Sequence, residues 1–256
     1  MQVPPRFIRW ADLYVVKFAL PVLVLSKISR MKIDGAMLVP VAIAWAVMMS
    51  CAVVIVLLSR RHHWDASITG ALLMVGVLGN TSFLGLGLVE GILGTDHMPA
   101  AVAYDQLGTF VCLTIYGSFI VSRYGAGNFS FASITHRLIR FMPFLALLAS
   151  FPARYVHIPD DAYHAFDIIG RTVGPVAMGA LGLRFTLRVH REVLQPAVSG
   201  LVIKMLALPG VLIALAFITG HIHAVTWQSS ILEASMPPMV TAGVVAVGAG
   251  LNEDVV

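Results

Sequence analysis

Asn80, Thr81 and Ser82 stand together in the middle of an apolar stretch, Val75 to Gly94, that reads V-G-V-L-G-N-T-S-F-L-G-L-G-L-V-E-G-I-L-G. All three are residue types that cap the start of a helix. A helix that starts there directs about half a positive charge, and N–H groups with no partner inside the helix, at whatever lies before it. That is chemistry for holding a carboxylate or another small anion. A second place of this kind is Leu232 to Val240, L-E-A-S-M-P-P-M-V. Pro237 and Pro238 remove two successive amide donors and force a break, so the amides following Met236, Pro237 and Pro238 face the same task.

Four ionisable residues and one amide accompany these breaks. Asp105 and Gln106 lie in A-V-A-Y-D-Q-L-G-T-F, and Glu233 lies four residues, about one helical turn, before Pro237. A charge in such apolar surroundings is costly unless paired, which marks Asp105 and Glu233 as candidate proton carriers or members of ion pairs. Lys17 and Arg171 are the cations available to them, by attracting an anion or, the favoured reading, by structural pairing with Asp105 and Glu233. Plainer readings stand beside these: Thr81 and Ser82 bonding back to the preceding turn, Asp105 capping a helix end, and Glu233 facing water at a segment end. Lys204 is alone in its segment and reads first as snorkelling. Gly87 and Gly91 read as a close helix contact, and Glu90 as an interface residue.

The elements that carry these residues are membrane spans. Of 256 residues, 58% are hydrophobic and only 12% charged, against about 25% charged in a soluble domain. Eight segments are long and apolar enough to cross a bilayer: Ala11 to Ser29, Ala36 to Ser59, Ser67 to Gly94, Met98 to Ser122, Leu138 to Tyr155, Ala162 to Phe185, Pro196 to Gly220 and Ala224 to Gly250. The net charge of +4 resides mostly in short loops, which is the membrane pattern and argues against a nucleic-acid partner. Cys51 and Cys112 both sit in apolar sequence and form neither a disulfide framework nor a metal motif. No cleavable signal is visible, and no metal or cofactor motif is found. Trp10, Trp64 and Trp227 lie near segment ends, as interfacial aromatics do.

Alternating the spans puts ten loop cations on the side of the N-terminal tail and four on the other. The first set includes Arg6, Arg9, Arg60, Arg61, Arg123 and Arg137, and the second is Lys27, Arg30, Lys32 and Arg154. The tail is therefore expected in the cytosol, with the chain multi-pass in the cell membrane. A weak internal repeat also emerges. V-V-K-F-A-L-P ends at Pro21 and I-G-R-T-V-G-P at Pro175, with Lys17 and Arg171 each four residues before the proline. The same offset of 154 residues carries Asn80 to position 234, inside the second break. Interrupted spans at matching places in two halves point to a secondary transporter site. The matched spans are the third and the eighth, and an odd offset makes the repeats inverted. The expected division is residues 1–126 and 127–256, five helices each. The chain is expected to lack a first and a tenth helix, leaving about eight of ten.

L-G-N-T-S-F-L-G-L-G-L-V-E, A-V-A-Y-D-Q-L-G-T-F, L-E-A-S-M-P-P-M-V-T-A and the early F-A-L-P-V-L-V-L together resemble the auxin efflux carrier family of membrane transporters, in its bacterial branch. The resemblance covers essentially the whole chain. It implies an all-α membrane protein of two inverted five-helix repeats, similar to bile-acid sodium symporters, whose fourth and ninth helices cross at broken centres. It implies organic anions or weak acids as substrates: auxin in plants, malate, malonate and similar acids in bacterial members. One departure is Gly87, where the family usually has proline. Glycine also loosens a helix, so the break can persist.

The reading is thus a carrier, not an enzyme, that moves an organic anion across a lipid bilayer by alternating access. The site residues are Asn80, Thr81, Ser82, Met236, Pro237 and Pro238, with Asp105, Gln106, Glu233, Lys17 and Arg171 for coupling or charge pairing. A membrane enzyme would need G-x-S-x-G with a histidine or H-E-x-x-H, and neither is present. A sodium-coupled symporter of the bile-acid type and a non-transporting sensory or structural protein are the alternatives. Coupling to protons, sodium or potential, and assembly as a homodimer, stay open.

Overall fold

The computed structural model describes residues 10–11, 13–30, 35–125, 142–156, 158–173, 175–176, 179 and 191–256. Ten helices organise them. Helix α1 (Leu20–Arg30) continues from a wide turn at Val15–Ala19, and α2 spans Leu38–His62. The third apolar segment is two helices, α3 (Ala66–Val75) and α4 (Thr81–Leu93). Then come α5 (Thr95–Tyr124), α6 (Met142–Ala153), α7 (Asp160–Arg171) and α8 (Val193–Ile218). The last apolar segment is also divided, into α9 (Val225–Ala234) and α10 (Val240–Gly248). Among the described residues the only β-type pairing outside the helices is one antiparallel bridge, Gly79 to Pro238.

Local chemistry accounts for the boundaries. Helix α2 ends where His63 turns left-handed (φ 54°), with Arg60, Arg61 and His62 in its last turn against the negative end of the helix. Asp65 is extended and its carbonyl takes the Thr69 amide, which starts α3. Gly94 adopts φ 93°, a conformation open to glycine, between α4 and α5. Helices α2, α5 and α8 are long and apolar enough to span a membrane, at 25, 30 and 26 residues. Large apolar side chains such as Leu57, Phe119, Leu206 and Phe217 lie on their outer surface, where a soluble protein would place polar groups.

Two apolar interiors lie on either side of the first break. Leu72, Leu73 and Met74 of α3 pack with Ala44 and Cys51 of α2, Cys112 of α5 and Ala242 and Ala246 of α10. Leu86 and Val89 of α4 pack instead with Leu20 and Leu23 of α1, Met98 and Ala101 of α5 and Leu147 of α6. Helices α1 and α7 are tied together: Tyr14 to Thr172 (2.8 Å), Ser29 to Tyr163 (3.1 Å), and Ser26 and Arg30 to the Asp167 carboxylate (2.7–2.8 Å). The starts expected near Leu138 and the end expected at Phe185 lie outside the described residues, as do Arg6, Arg9, Lys32, Arg137, Arg140, Arg184 and Arg188 of the loop charges.

Candidate functional site

Both expected interruptions are present, and they meet. Past Gly76 the chain leaves the helix, runs extended through Gly79 and restarts at Thr81. Met236 and Pro237 each precede a proline, which disfavours helical backbone at both. The result is a short extended edge between α9 and α10. The Asn80 amide donates to Pro237 O (2.8 Å) and the Met239 amide to Leu78 O (2.9 Å). Each break thus satisfies backbone groups that the other leaves open, which is what non-helical backbone at membrane depth requires. Gly79 permits the approach, since a Cβ there would stand 3.1 Å from Lys204 Nζ and 3.6 Å from Met236 O.

Helix α4 begins with the Asn80 carbonyl accepting the amides of Leu84 (3.2 Å) and Gly85 (3.0 Å). The amides of Thr81, Ser82 and Phe83 therefore form its open first turn. The hydroxyls of Thr81 and Ser82 both donate to Asp105 Oδ1, at 2.5 and 2.6 Å, and Gln106 Nε2 donates to Asp105 Oδ2 at 2.6 Å. Asp105 and Gln106 lie in a wide turn inside α5, Tyr104–Phe110, and both are fully buried. Asp105 thus lies inside α5, not at an end of it, and does not snorkel. Its carboxylate takes the two hydroxyls that the sequence assigns to a substrate, leaving backbone amides as the donors of α4.

Glu233 is also fully buried, in the last turn of α9, so the water-facing alternative does not hold. Neither of its carboxylate oxygens has a hydrogen-bond partner among the described residues, nor do Asn80 Oδ1 and Gln106 Oε1. Glu233 lies against Gly85, where a Cβ would overlap the carboxylate and stand 2.7 Å from its carboxyl carbon.

The expected pairing of Lys17 and Arg171 with these acids is corrected. Both cations lie on the surface of the chain, while Asp105 and Glu233 are in its interior. Lys17 sits in the wide turn before α1 and Arg171 ends α7. Among the described residues the cation at the breaks is Lys204, buried in a wide turn of α8, Ile203–Ala207, with Nζ 3.3 Å from Val77 O. It does not snorkel. A cation mid-span, as far from either segment end as Lys204 is, was the available signal. On the α2 side, Cys51 Sγ donates to Gly76 O (3.2 Å), so the carbonyls of Gly76 and Val77, just past the end of α3, are both engaged.

Three hollows adjoin these parts. One of about 440 Å³ opens on Pro238, Met239 and Val240 at the start of α10, with Val75 and Val244 as apolar walls. A smaller one of about 130 Å³ lies between α3, α8 and Pro238. A third, of about 350 Å³, is lined by Gly87, Glu90, Gly91, Thr95, Arg171 and Pro175. The Gly87 and Gly91 pair therefore faces a hollow, and a Cβ at Gly91 would meet nothing within 4 Å. His97 and Gln228 bond each other at 3.0 Å and tie the start of α5 to α9.

The family model described as "Membrane transport protein" matches residues 9–135 and 129–256. An "Uncharacterized transporter" of Methanothermobacter thermautotrophicus is 29% identical over 252 residues, covering 94% of this chain and 80% of the relative. A second "Uncharacterized transporter", of Methanocaldococcus jannaschii, is 28% identical over 119 residues, 44% of this chain and 38% of that protein. A protein of Rhizobium meliloti named "Putative malonate transporter" is 25% identical over 249 residues, 91% of this chain and 75% of that protein.

Proposed function

Because the chain belongs to the membrane transport protein family of the auxin efflux carriers, and is a multi-pass membrane protein, we propose that it is a secondary transporter that moves a small organic anion, a dicarboxylate of malonate size, by alternating access. The observation that carries this reading is the junction of the two breaks, bonded at Asn80–Pro237 and Leu78–Met239, beside a buried polar cluster. A membrane protein without a guest has no use for two helix starts opening at mid-span. The amides that open α4 and α10 supply donors for a carboxylate. The hollow at Pro238, Met239 and Val240 has room for an acid of a few carbons and apolar walls for its body. The name of the Rhizobium meliloti relative supports malonate as the first probe.

The matched breaks also support a reading of two inverted repeats, 1–126 and 127–256, and the loop cations support a cytosolic N-terminal tail in the cell membrane. The test of function is exchange of labelled malonate, malate and indole acids across proteoliposomes holding the purified chain. Trans-stimulated exchange of a dicarboxylate supports the proposal. No exchange of any acid by a monodisperse, folded preparation overturns it.

A further inference from the structure

We propose that the hollow between the end of α4 and the end of α7 holds the headgroup of an aminophospholipid, with its phosphate on Arg171 and its ammonium on Glu90. The hollow is separate from the junction of the breaks, and the proposal does not rest on the transport reading. Its walls are Gly87, Glu90 and Gly91 of α4, Thr95 at the start of α5, and Arg171 and Pro175 at and beyond the end of α7. Its volume is about 350 Å³, room for a phosphate and a two-carbon amine.

Its level in the membrane follows from α4. That helix starts at the mid-span break with Thr81 and ends at Leu93. At about 1.5 Å per residue it runs about 20 Å along its axis, past the half-thickness of about 15 Å of the hydrocarbon core. Glu90 and Gly91 lie in its last turn, and Gly94, at φ 93°, turns the chain back into α5. The hollow therefore opens at headgroup level, where lipid phosphates and amines reside. Ile92, beside Gly91, and Ile168, about one turn before Arg171, are exposed on the same two helices, apolar surface of the kind that acyl chains cover.

Charge selects the headgroup. Arg171 and Glu90 line one hollow from different walls yet make no ion pair with each other. Among the described residues neither side chain has any hydrogen bond or ion pair, and neither does the Thr95 hydroxyl. A lone phosphate or carboxylate would suit Arg171 and be repelled by Glu90, and a lone amine would meet the reverse. A phosphodiester joined to a primary ammonium suits both. The guanidinium offers parallel N–H donors to two phosphate oxygens. The ammonium has three N–H donors, for the Glu90 carboxylate and the Thr95 hydroxyl oxygen. A choline headgroup carries the same charges without an N–H donor, and a glycerol headgroup lacks the cation. The α4 wall is recessed to admit the group: a Cβ at Gly91 would meet nothing within 4 Å.

The experiment titrates the purified, delipidated full chain in neutral detergent, by native mass spectrometry, with phosphatidylethanolamine, phosphatidylcholine and phosphatidylglycerol of matched acyl chains. Phosphatidylethanolamine is expected to bind at least tenfold more tightly than the other two. Arg171→Ala is expected to weaken it at least tenfold, and Glu90→Gln to erase its advantage over phosphatidylglycerol. Lys17→Ala, which removes an exposed cation that does not line the hollow, is expected to leave all three affinities unchanged. Unfolding midpoints without lipid confirm that the variants are folded. Equal or reversed affinities of the three lipids, a preference that survives either hollow variant, or an equal loss in Lys17→Ala overturns the proposal. Glycerophosphoethanolamine, which has no chains, is the last probe. If it binds as tightly as the lipid, the occupant is a soluble zwitterion and the lipid assignment falls.

Discussion

The Asp105 carboxylate lies at the start of α4, with Thr81 Oγ1 and Ser82 Oγ on the same oxygen, Oδ1, at 2.5 and 2.6 Å. The carboxylate therefore belongs to the helix start and is not free. Removing it strands three buried donors, each worth about 1–3 kcal/mol when left without a partner. Asp105→Ala should lower stability by about 2–5 kcal/mol, read as a large fall in the unfolding midpoint in detergent. Asp105→Asn keeps an acceptor oxygen and should cost less than half as much. Equal stability for wild type and Asp105→Ala would remove the carboxylate from this role.

Gly85 and Glu233 make a steric pair. Gly85→Ala forces its new methyl into the Glu233 carboxyl and should cost about 1–3 kcal/mol by overpacking. Glu233→Ala in the same chain makes room, so the double variant should recover most of the loss. A double-mutant cycle on unfolding midpoints measures it, and strictly additive effects would mean the two residues do not touch.

Pro237 and Pro238 hold their break open. Replacing both with leucine restores two amide donors and allows α9 to run on into α10. The amides of Asn80 and Met239, protected in wild type by Pro237 O and Leu78 O, should then exchange at least tenfold faster in hydrogen–deuterium measurements. Malonate exchange should fall with them. Unchanged protection at both amides would show that the junction forms without the prolines.

Lys204→Met keeps an unbranched chain one atom shorter and removes its charge. Val77 O loses its donor and the interior beside the breaks loses a buried positive charge, a change expected to cost about 1–3 kcal/mol and to cut malonate transport about tenfold. Lys17→Ala and Arg171→Ala, on the surface, should shift stability by no more than about 0.5 kcal/mol. Thermal unfolding of the three variants side by side checks the contrast.

The breaks were legible in the sequence because their signals are local: G-N-T-S and M-P-P interrupt apolar runs and specify backbone that cannot stay helical. Burial of Asp105 and Glu233 was one of two readings open in the sequence, beside capping for Asp105 and a water-facing segment end for Glu233, and the structure decides it. Their partners were not legible, because partnership depends on which faces meet. Asp105 and Lys204 both sit in wide helical turns, and a widened turn rotates every later side chain away from its regular bearing. Nothing in Y-D-Q-L-G-T-F or I-K-M-L-A announces such a turn. Lys17 and Arg171 matched in spacing to their prolines, yet α1 and α7 bury their apolar faces and turn these cations outward.

The polar ties of α1 described above end on α7, while its contact with α4 and α5 is built from Leu20, Leu23, Leu86, Val89 and Met98. A greasy boundary of this sort has no lock and no register. Slippage along it would trade one hydrocarbon neighbour for another and would leave the bridge between Gly79 and Pro238 unbroken.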